Sequence, residues 1–311
     1  MSGFLYDVCV PAYNSKATLP STLDSIFSQE IRPHRVVVID DGSTDGTSET
    51  AREIGVWTIS TPNRGTAAAR NVGLRALCCD YVAFVDADDM WLPTMSSAQA
   101  QLWGQLPASA ALLSTGRTTF VGRPLPQQDE VNSDLVVSQV VPSELWLQNV
   151  LTASATMYRR AALEQVGGFR DGSRTVEDYD VALRLMAAEW TLFRTPKALC
   201  LWRFGASSKT AHVAEMLDEE SRVLTSFYAS VYRRLHLSDA NLGARLRQSW
   251  RRAIARAAIY RLDFAILPPI AQYAPPTIMD RFIDFAIHRR LLGPLLAKIW
   301  RARRAVLGIT F

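Results

Sequence analysis

No apolar run in this 311-residue chain reaches the ~18–20 residues that a membrane-spanning helix requires. The best stretch near the C-terminus, Ile254 to Ala271, is broken by Arg256, Arg261, Asp263 and the pair Pro268-Pro269. Cysteine is scarce: Cys9, Cys78, Cys79 and Cys200 are the only four. Cys9 and Cys200 lie in apolar runs and read as buried thiols, while Cys78 and Cys79 are adjacent and lack metal-ligand spacing. Disulfides are therefore not expected, and a reduced, cytoplasmic compartment fits. A strand pattern begins almost at the first residue, so no signal peptide is expected. No Gly-x-Gly-x-x-Gly follows that strand, which disfavours a nicotinamide-dependent dehydrogenase. Internal repeats and low-complexity segments are also missing.

The composition is globular, with 48% hydrophobic and 21% charged residues and ample material for a core. The length exceeds a typical single domain, so two lobes or one enlarged domain are expected. The net charge of +4 is unevenly spread. Residues 233–311 carry 15 Lys and Arg against 4 Asp and Glu, which leaves the preceding residues net acidic at −7. A basic tail on an acidic body suggests an anionic partner, either a phospholipid surface or nucleic acid.

Strand and helix patterns alternate through the first ninety residues. Tyr6–Pro11, Arg35–Ile39, Val56–Ser60 and Tyr81–Val85 are short and mostly apolar, as buried strands are. Between them, residues 18–29, 47–54 and 67–78 have helical spacing, with Gly55 suited to end the second helix. This order predicts a largely parallel sheet flanked by helices. Residues 92–150 give no clear pattern beyond a polar loop over 124–134 and a helix over 143–150. A strand is expected over Thr152–Tyr158 and a helix over Thr175–Trp190, followed from about residue 211 by Arg-rich helices broken at proline pairs.

Ligands of such sheets bind beyond the carboxyl ends of the strands. Those exits hold Tyr13-Asn14, Asp40-Asp41 and Asp86-Ala87-Asp88-Asp89, so five carboxylates gather on one edge. Mutual repulsion among them is relieved by a cation. In an extended segment Asp86 and Asp88 would point the same way, and two hard carboxylates can hold Mg²⁺ or Mn²⁺ with positions left for phosphate oxygens. Taken alone, Asp-x-Asp-Asp is also a common polar turn. The run Asp40–Thr47 reads equally as a strand-to-helix turn, although that does not explain two aspartates closing an apolar strand. Gly65 allows a tight entry to a helix whose N-terminus can face phosphate, with Arg64 or Arg70 supplying positive charge. Thr175 to Asp178 has capping-box spacing, so Asp178 is by spacing a helix-start residue and by chemistry a candidate general base.

Together these features resemble glycosyltransferase family 2, the inverting GT-A enzymes. The resemblance runs from about Val8 to Arg203 through Pro11-Ala12-Tyr13-Asn14, Asp40–Thr47, Asn63–Gly73, Phe84–Asp89, Val166-Gly167-Gly168-Phe169 and Glu177-Asp178. It implies a GT-A fold with residues 1–110 as the nucleotide-sugar-binding half, 111–210 as the acceptor-binding half and 211–311 as a basic helical region. By position, it implies that Asp41 bonds the nucleobase and that Pro11, Tyr13 and Asn14 line the base and ribose pocket. It implies that Arg70 lies near the diphosphate, that Asp88 binds the metal with Asp86 close to ribose and metal, and that Asp178 is the base. The expected reaction moves one sugar from a nucleotide-diphosphate sugar, UDP favoured, to a hydroxyl of a glycan or lipid-linked glycan, with Mn²⁺ or Mg²⁺. The sequence departs from the family pattern at Phe204, where many members carry His, and it lacks the Gln-x-x-Arg-Trp of processive synthases. Competing readings are a nucleotidyltransferase of related fold and a non-catalytic, sugar-nucleotide-binding or membrane-associated scaffold.

In the tail, Leu291, Leu292, Leu295, Leu296 and Ile299 form an apolar stripe, with Arg290, Lys298, Arg301 and Arg304 largely opposite. This suits an interfacial helix, and peripheral attachment to the inner face of the cell membrane is the expectation, ahead of plain packing. No nucleic-acid-binding motif accompanies the arginines, so no nucleic acid is expected.

Overall fold

The computed structural model describes residues 3–120, 122, 135–204, 213–231 and 244–249. The chain forms two compact units, Met1–Phe204 and Gly205–Phe311. The first begins with β1 (Tyr6–Ala12), α1 (Leu19–Phe27), β2 (Arg35–Asp40), α2 (Thr47–Glu53), β3 (Trp57–Ser60), α3 (Thr66–Ala76) and β4 (Tyr81–Phe84). Each lies within two residues of where the pattern puts it. All seven residues of β1 are buried, and so are the last five of β2, because a parallel strand covered on both faces has no wet side.

The remainder of the unit comprises β5 (Met90–Trp91), α4 (Met95–Trp103), β6 (Ala110–Phe120), β7 (Ser138–Val140) and α5 (Pro142–Leu147). Then follow a 3₁₀ turn (Ala153–Ala155), β8 (Thr156–Arg159), α6 (Arg160–Gln165), α7 (Glu177–Ala187) and β9 (Thr191–Arg203). One sheet joins the strands in the order β3-β2-β1-β4-β8-β6-β9-β5, with β7 also on β9. The largely parallel sheet expected from sequence is present over β3, β2, β1 and β4. Antiparallel pairing enters where β8 meets β4 and β6, whereas β6 and β9 run parallel.

Helix α3 lies unusually close to the sheet. A Cβ built on Gly73 would sit 2.2 Å from Cys9 Sγ of β1, so only glycine permits this approach. On the other face of the sheet, against α1, the core is formed by Val8, Val10, Leu23, Ile26, Val38, Val85 and their neighbours.

Two local expectations are corrected. The strand expected over Thr152–Tyr158 begins only at Thr156, because residues 153–155 turn to bring Ser154 against the exit of β4. The start of α7 falls one residue later than the capping-box spacing puts it, with Val176 at the cap position. In the second unit, α8 (Val213–Val231) and residues 244–249 are helical, and buried Arg245 pairs with Glu220. Among the described residues no helix is long and apolar enough to cross a membrane. The loop over 124–134, the proline-broken tail and its apolar stripe lie outside the described residues.

Candidate active site

The exits of β1 and β2 are clasped together. Asn14, at φ 48°, donates its N–H to Ser43 Oγ at 2.9 Å, while its own Oδ1 accepts from Thr44 N–H at 2.9 Å. Ser15 and Lys16 N–H groups donate to Thr47 Oγ1 and Asp45 Oδ2 at 2.8 and 3.0 Å. Tyr13 is left half exposed on this rim, whereas Pro11 is buried within β1. Asp41 is buried, and its two carboxylate oxygens accept the N–H groups of Arg64 and Gly65 at 2.9 and 2.8 Å. Asp40 accepts from Ser43 N–H. The β2 aspartates therefore satisfy their charge with main-chain donors, and the cation expected for all five carboxylates is not needed there.

The β4 group differs. Asp86 to Asp89 form a tight turn, closed by Asp89 N–H to Asp86 C=O at 3.0 Å, rather than the extended segment assumed from sequence. Ser154 Oγ accepts the Asp86 N–H at 3.0 Å. Arg203, at the end of β9, donates Nε to the Asp88 carbonyl and its N–H to Asp89 Oδ1, both at 2.9 Å. The late Trp-Arg segment is thus tied to the aspartate turn, with Phe204 next to it and bonded through its N–H to the Phe120 carbonyl. Asp89 is 1% exposed, and its Oδ2 is buried without a hydrogen-bond partner. Burial, then the charges of Asp88 and Asp86, push its carboxyl well above the usual range.

Arg70 joins this turn to a segment more than a hundred residues away. Its guanidinium, fully buried, donates to Asp86 Oδ1 at 2.8 Å and to Glu177 Oε1 at 3.0 Å, with Phe169 stacked 5.4 Å from it. Burial disfavours its charge, but Asp86 and Glu177 outweigh that and hold the proton more firmly than usual. Arg70 accordingly stands behind the carboxylates. Arg64 is exposed and paired with Asp171. The neighbouring Asn71 grips Phe169, just after the glycine pair: its Nδ2 donates to the Phe169 carbonyl at 2.7 Å and its Oδ1 accepts Phe169 N–H at 2.8 Å. Gly168, at φ +70°, has no room for a Cβ, which would lie 2.5 Å from Asn71 Oδ1.

Asp178 is half-buried in the first turn of α7, one residue from the Arg70 contact. Its Oδ1 accepts Tyr179 N–H at 2.7 Å and its Oδ2 accepts Asn149 Nδ2 at 3.2 Å. Burial first, then the Glu177 charge, push its carboxyl up to about 6, against the opposing effect of Arg70. A carboxylate held there by fixed donors suits a general base near neutral pH. Asn149 and Ser154 are neighbours of the site that the sequence motifs do not include.

The β4 turn fits a divalent cation. Its donors are hard oxygens, and one buried carboxylate oxygen, Asp89 Oδ2, makes no hydrogen bond. Among the described residues the oxygens of Asp86, Asp88 and Asp89 do not converge as a three-ligand nest. Mg²⁺ sites are commonly built this way, from one or two carboxylates completed by substrate phosphates.

A parallel sheet whose strand exits carry a clasped rim, an aspartate turn and a carboxylate on a facing helix is the arrangement of the GT-A fold. Residues 7–167 match the model of glycosyl transferase family 2, and the chain belongs to that family. It is 27% identical over 192 residues to an uncharacterized glycosyltransferase of Haemophilus influenzae, covering 58% of this chain and 62% of that one. It is 34% identical over 99 residues to the Escherichia coli UDP-Glc:alpha-D-GlcNAc-diphosphoundecaprenol beta-1,3-glucosyltransferase WfaP, covering 30% and 39%. The matched stretches thus span less than two thirds of either relative. In fold it is similar to the mannosyltransferase PcManGT of Pyrobaculum calidifontis in complex with GDP-Man and Mn²⁺, with TM-score 0.57, 21% identity and 98% and 88% coverage. It is also similar to Staphylococcus aureus TarS 1–349 in complex with UDP-GlcNAc, with TM-score 0.55, 18% identity and 96% and 92% coverage.

Proposed function

We propose that the chain transfers a single sugar, with inversion, from a nucleotide-diphosphate sugar to a hydroxyl of a glycan or lipid-linked glycan. The observation that carries this reading is the Arg70 bridge, because it couples the aspartate turn of β4 to the Glu177-Asp178 pair. Donor and acceptor chemistry then share one site. The donor lies over the exits of β1, β2 and β4, with its base at Asp41 and the Tyr13-Asn14 rim. Pro11 supports that rim from within β1. Asp86 and Asp88 would hold Mn²⁺ or Mg²⁺, which when bound offsets charge on the diphosphate. Arg70 keeps Asp86 aimed and ionised without touching the donor.

Asp178 takes the proton of the acceptor hydroxyl as that oxygen bonds the anomeric carbon. The bond to the diphosphate breaks on the opposite face, the nucleoside diphosphate leaves and the configuration inverts. A UDP donor and a lipid-linked acceptor draw support from the names of WfaP and of the TarS complex, and the Mn²⁺ complex of PcManGT supports the metal.

The test is incubation with UDP- and GDP-sugars, a diphosphoundecaprenol-linked sugar acceptor and Mn²⁺. Release of nucleoside diphosphate with a product of inverted configuration is expected. Release of pyrophosphate from UTP or GTP and a sugar 1-phosphate, supplied in a parallel reaction, would indicate a nucleotidyltransferase, and donor binding with no release in either reaction would indicate a scaffold.

A further inference from the structure

A second cluster of ligating side chains lies at the other end of the sheet, where β1, β2 and β4 start. Asp7 is the second residue of β1, His34 immediately precedes β2, and Cys78 and Cys79 lie between α3 and β4. Parallel pairing brings them together, with Asp7 opposite Arg35 on one side and Val82 on the other. One carboxylate oxygen, one imidazole nitrogen and both sulfurs all lie within 4.8 Å of one another. We propose that Asp7, His34, Cys78 and Cys79 form a zinc-type metal site, separate from the transfer site.

The ligand geometry favours it. Tetrahedral Zn²⁺ with bonds of ~2.0–2.3 Å holds its ligand atoms roughly 3.3–3.8 Å apart. The cluster is therefore about 1 Å from closing, within reach of side-chain rotation at exposed Cys78 and partly exposed His34. Asp7 is wholly buried and already fixed relative to the thiols. Its Oδ2 accepts the N–H groups of Cys78 and Cys79 at 2.7 and 2.8 Å. Its Oδ1 faces His34 Nδ1 at 3.2 Å, and the His34 main chain is held by its N–H to the Tyr6 carbonyl at 2.8 Å. One oxygen is thus braced by amides, as metal-ligating carboxylates are, while the other is turned toward the imidazole. The open side at Cys78 and His34 provides an entry path. Two sulfurs, one nitrogen and one oxygen suit Zn²⁺ and not the harder Mg²⁺ or Mn²⁺. Sequence spacing hides the site, because Cys78 and Cys79 lack a second close pair and the other two ligands arrive from neighbouring strands.

Bound there, the ion would tie the starts of three parallel strands. The test uses the full chain, freed of metal and kept reduced with a phosphine, titrated with Co²⁺. Thiolate-to-cobalt charge-transfer absorption should grow to one equivalent and disappear on adding Zn²⁺. It should be lost in C78S and in C79S, weakened in H34Q, and retained in D88N, which alters only the transfer site. Zn²⁺ should also raise the Tm of the unaltered chain and leave that of C78S, a change at an exposed position, where it was. Absence of the band, or a band undiminished in both cysteine variants, overturns the proposal.

Discussion

At the level of single residues the acid–base behaviour of Asp178 makes the sharpest demand. A carboxyl raised to about 6 is protonated below that pH and cannot accept a proton from the acceptor. Turnover at saturating substrates should therefore rise with pH through about 6 and level above it. The Asn149 amide stabilises the charged form, so Asn149→Ala should move this limb to higher pH without abolishing transfer. Replacing the proposed base, as Asp178→Asn, should cost ~10²–10⁴-fold in turnover with donor binding intact by calorimetry. Parallel loss of donor affinity would instead assign Asp178 to the donor. Asp88→Asn keeps the shape of the side chain and removes its charge. Transfer in Mn²⁺ should become undetectable at an unchanged Tm, and full activity of that variant would sink the metal assignment.

Helix α3 carries Arg70, which bridges the aspartate turn and Glu177, so its seating on the sheet matters to both. Gly73→Ala forces a methyl group onto Cys9 and should destabilise the chain by ~1–3 kcal/mol in urea unfolding. Adding Cys9→Ala should recover part of that loss, since it removes the sulfur that clashes. If the double variant is no more stable than the single one, the close approach is not what glycine protects. β1, β2 and β4 could be read from the sequence because buried parallel strands are apolar throughout. β9 could not, because Arg194, Pro196 and Lys197 interrupt it. The structure absorbs that interruption as a shift in register between Ser114 and Gly116 of β6. The aspartates could be found as strand exits, but their turn could not, since it depends on Ser154 and Arg203 from distant elements. The role of Arg70 was hidden for the same reason, as Glu177 lies 107 residues away.

For the molecule as a whole, the separation of charge between body and tail is the main physical feature outside the sheet. The excess of basic residues over 233–311 predicts that the chain sediments with vesicles containing anionic lipid, and that salt releases it. Changing Arg301, Arg303 and Arg304 to Gln should weaken that binding in proportion to the charge removed. Retention in the supernatant at low salt would end the membrane proposal. The buried Arg70 bridge also bears on recombination between relatives. A hybrid joined anywhere between Asp86 and Glu177 takes the arginine from one parent and its distal carboxylate from the other. Where the second parent carries a neutral residue at that position, the hybrid buries a cation with only part of its compensating charge, and losing one partner of a buried pair costs ~3–5 kcal/mol. The segments on either side of such a join can then be exchanged freely only among parents that share both residues, which makes position 177 the first place to inspect when designing such a crossover.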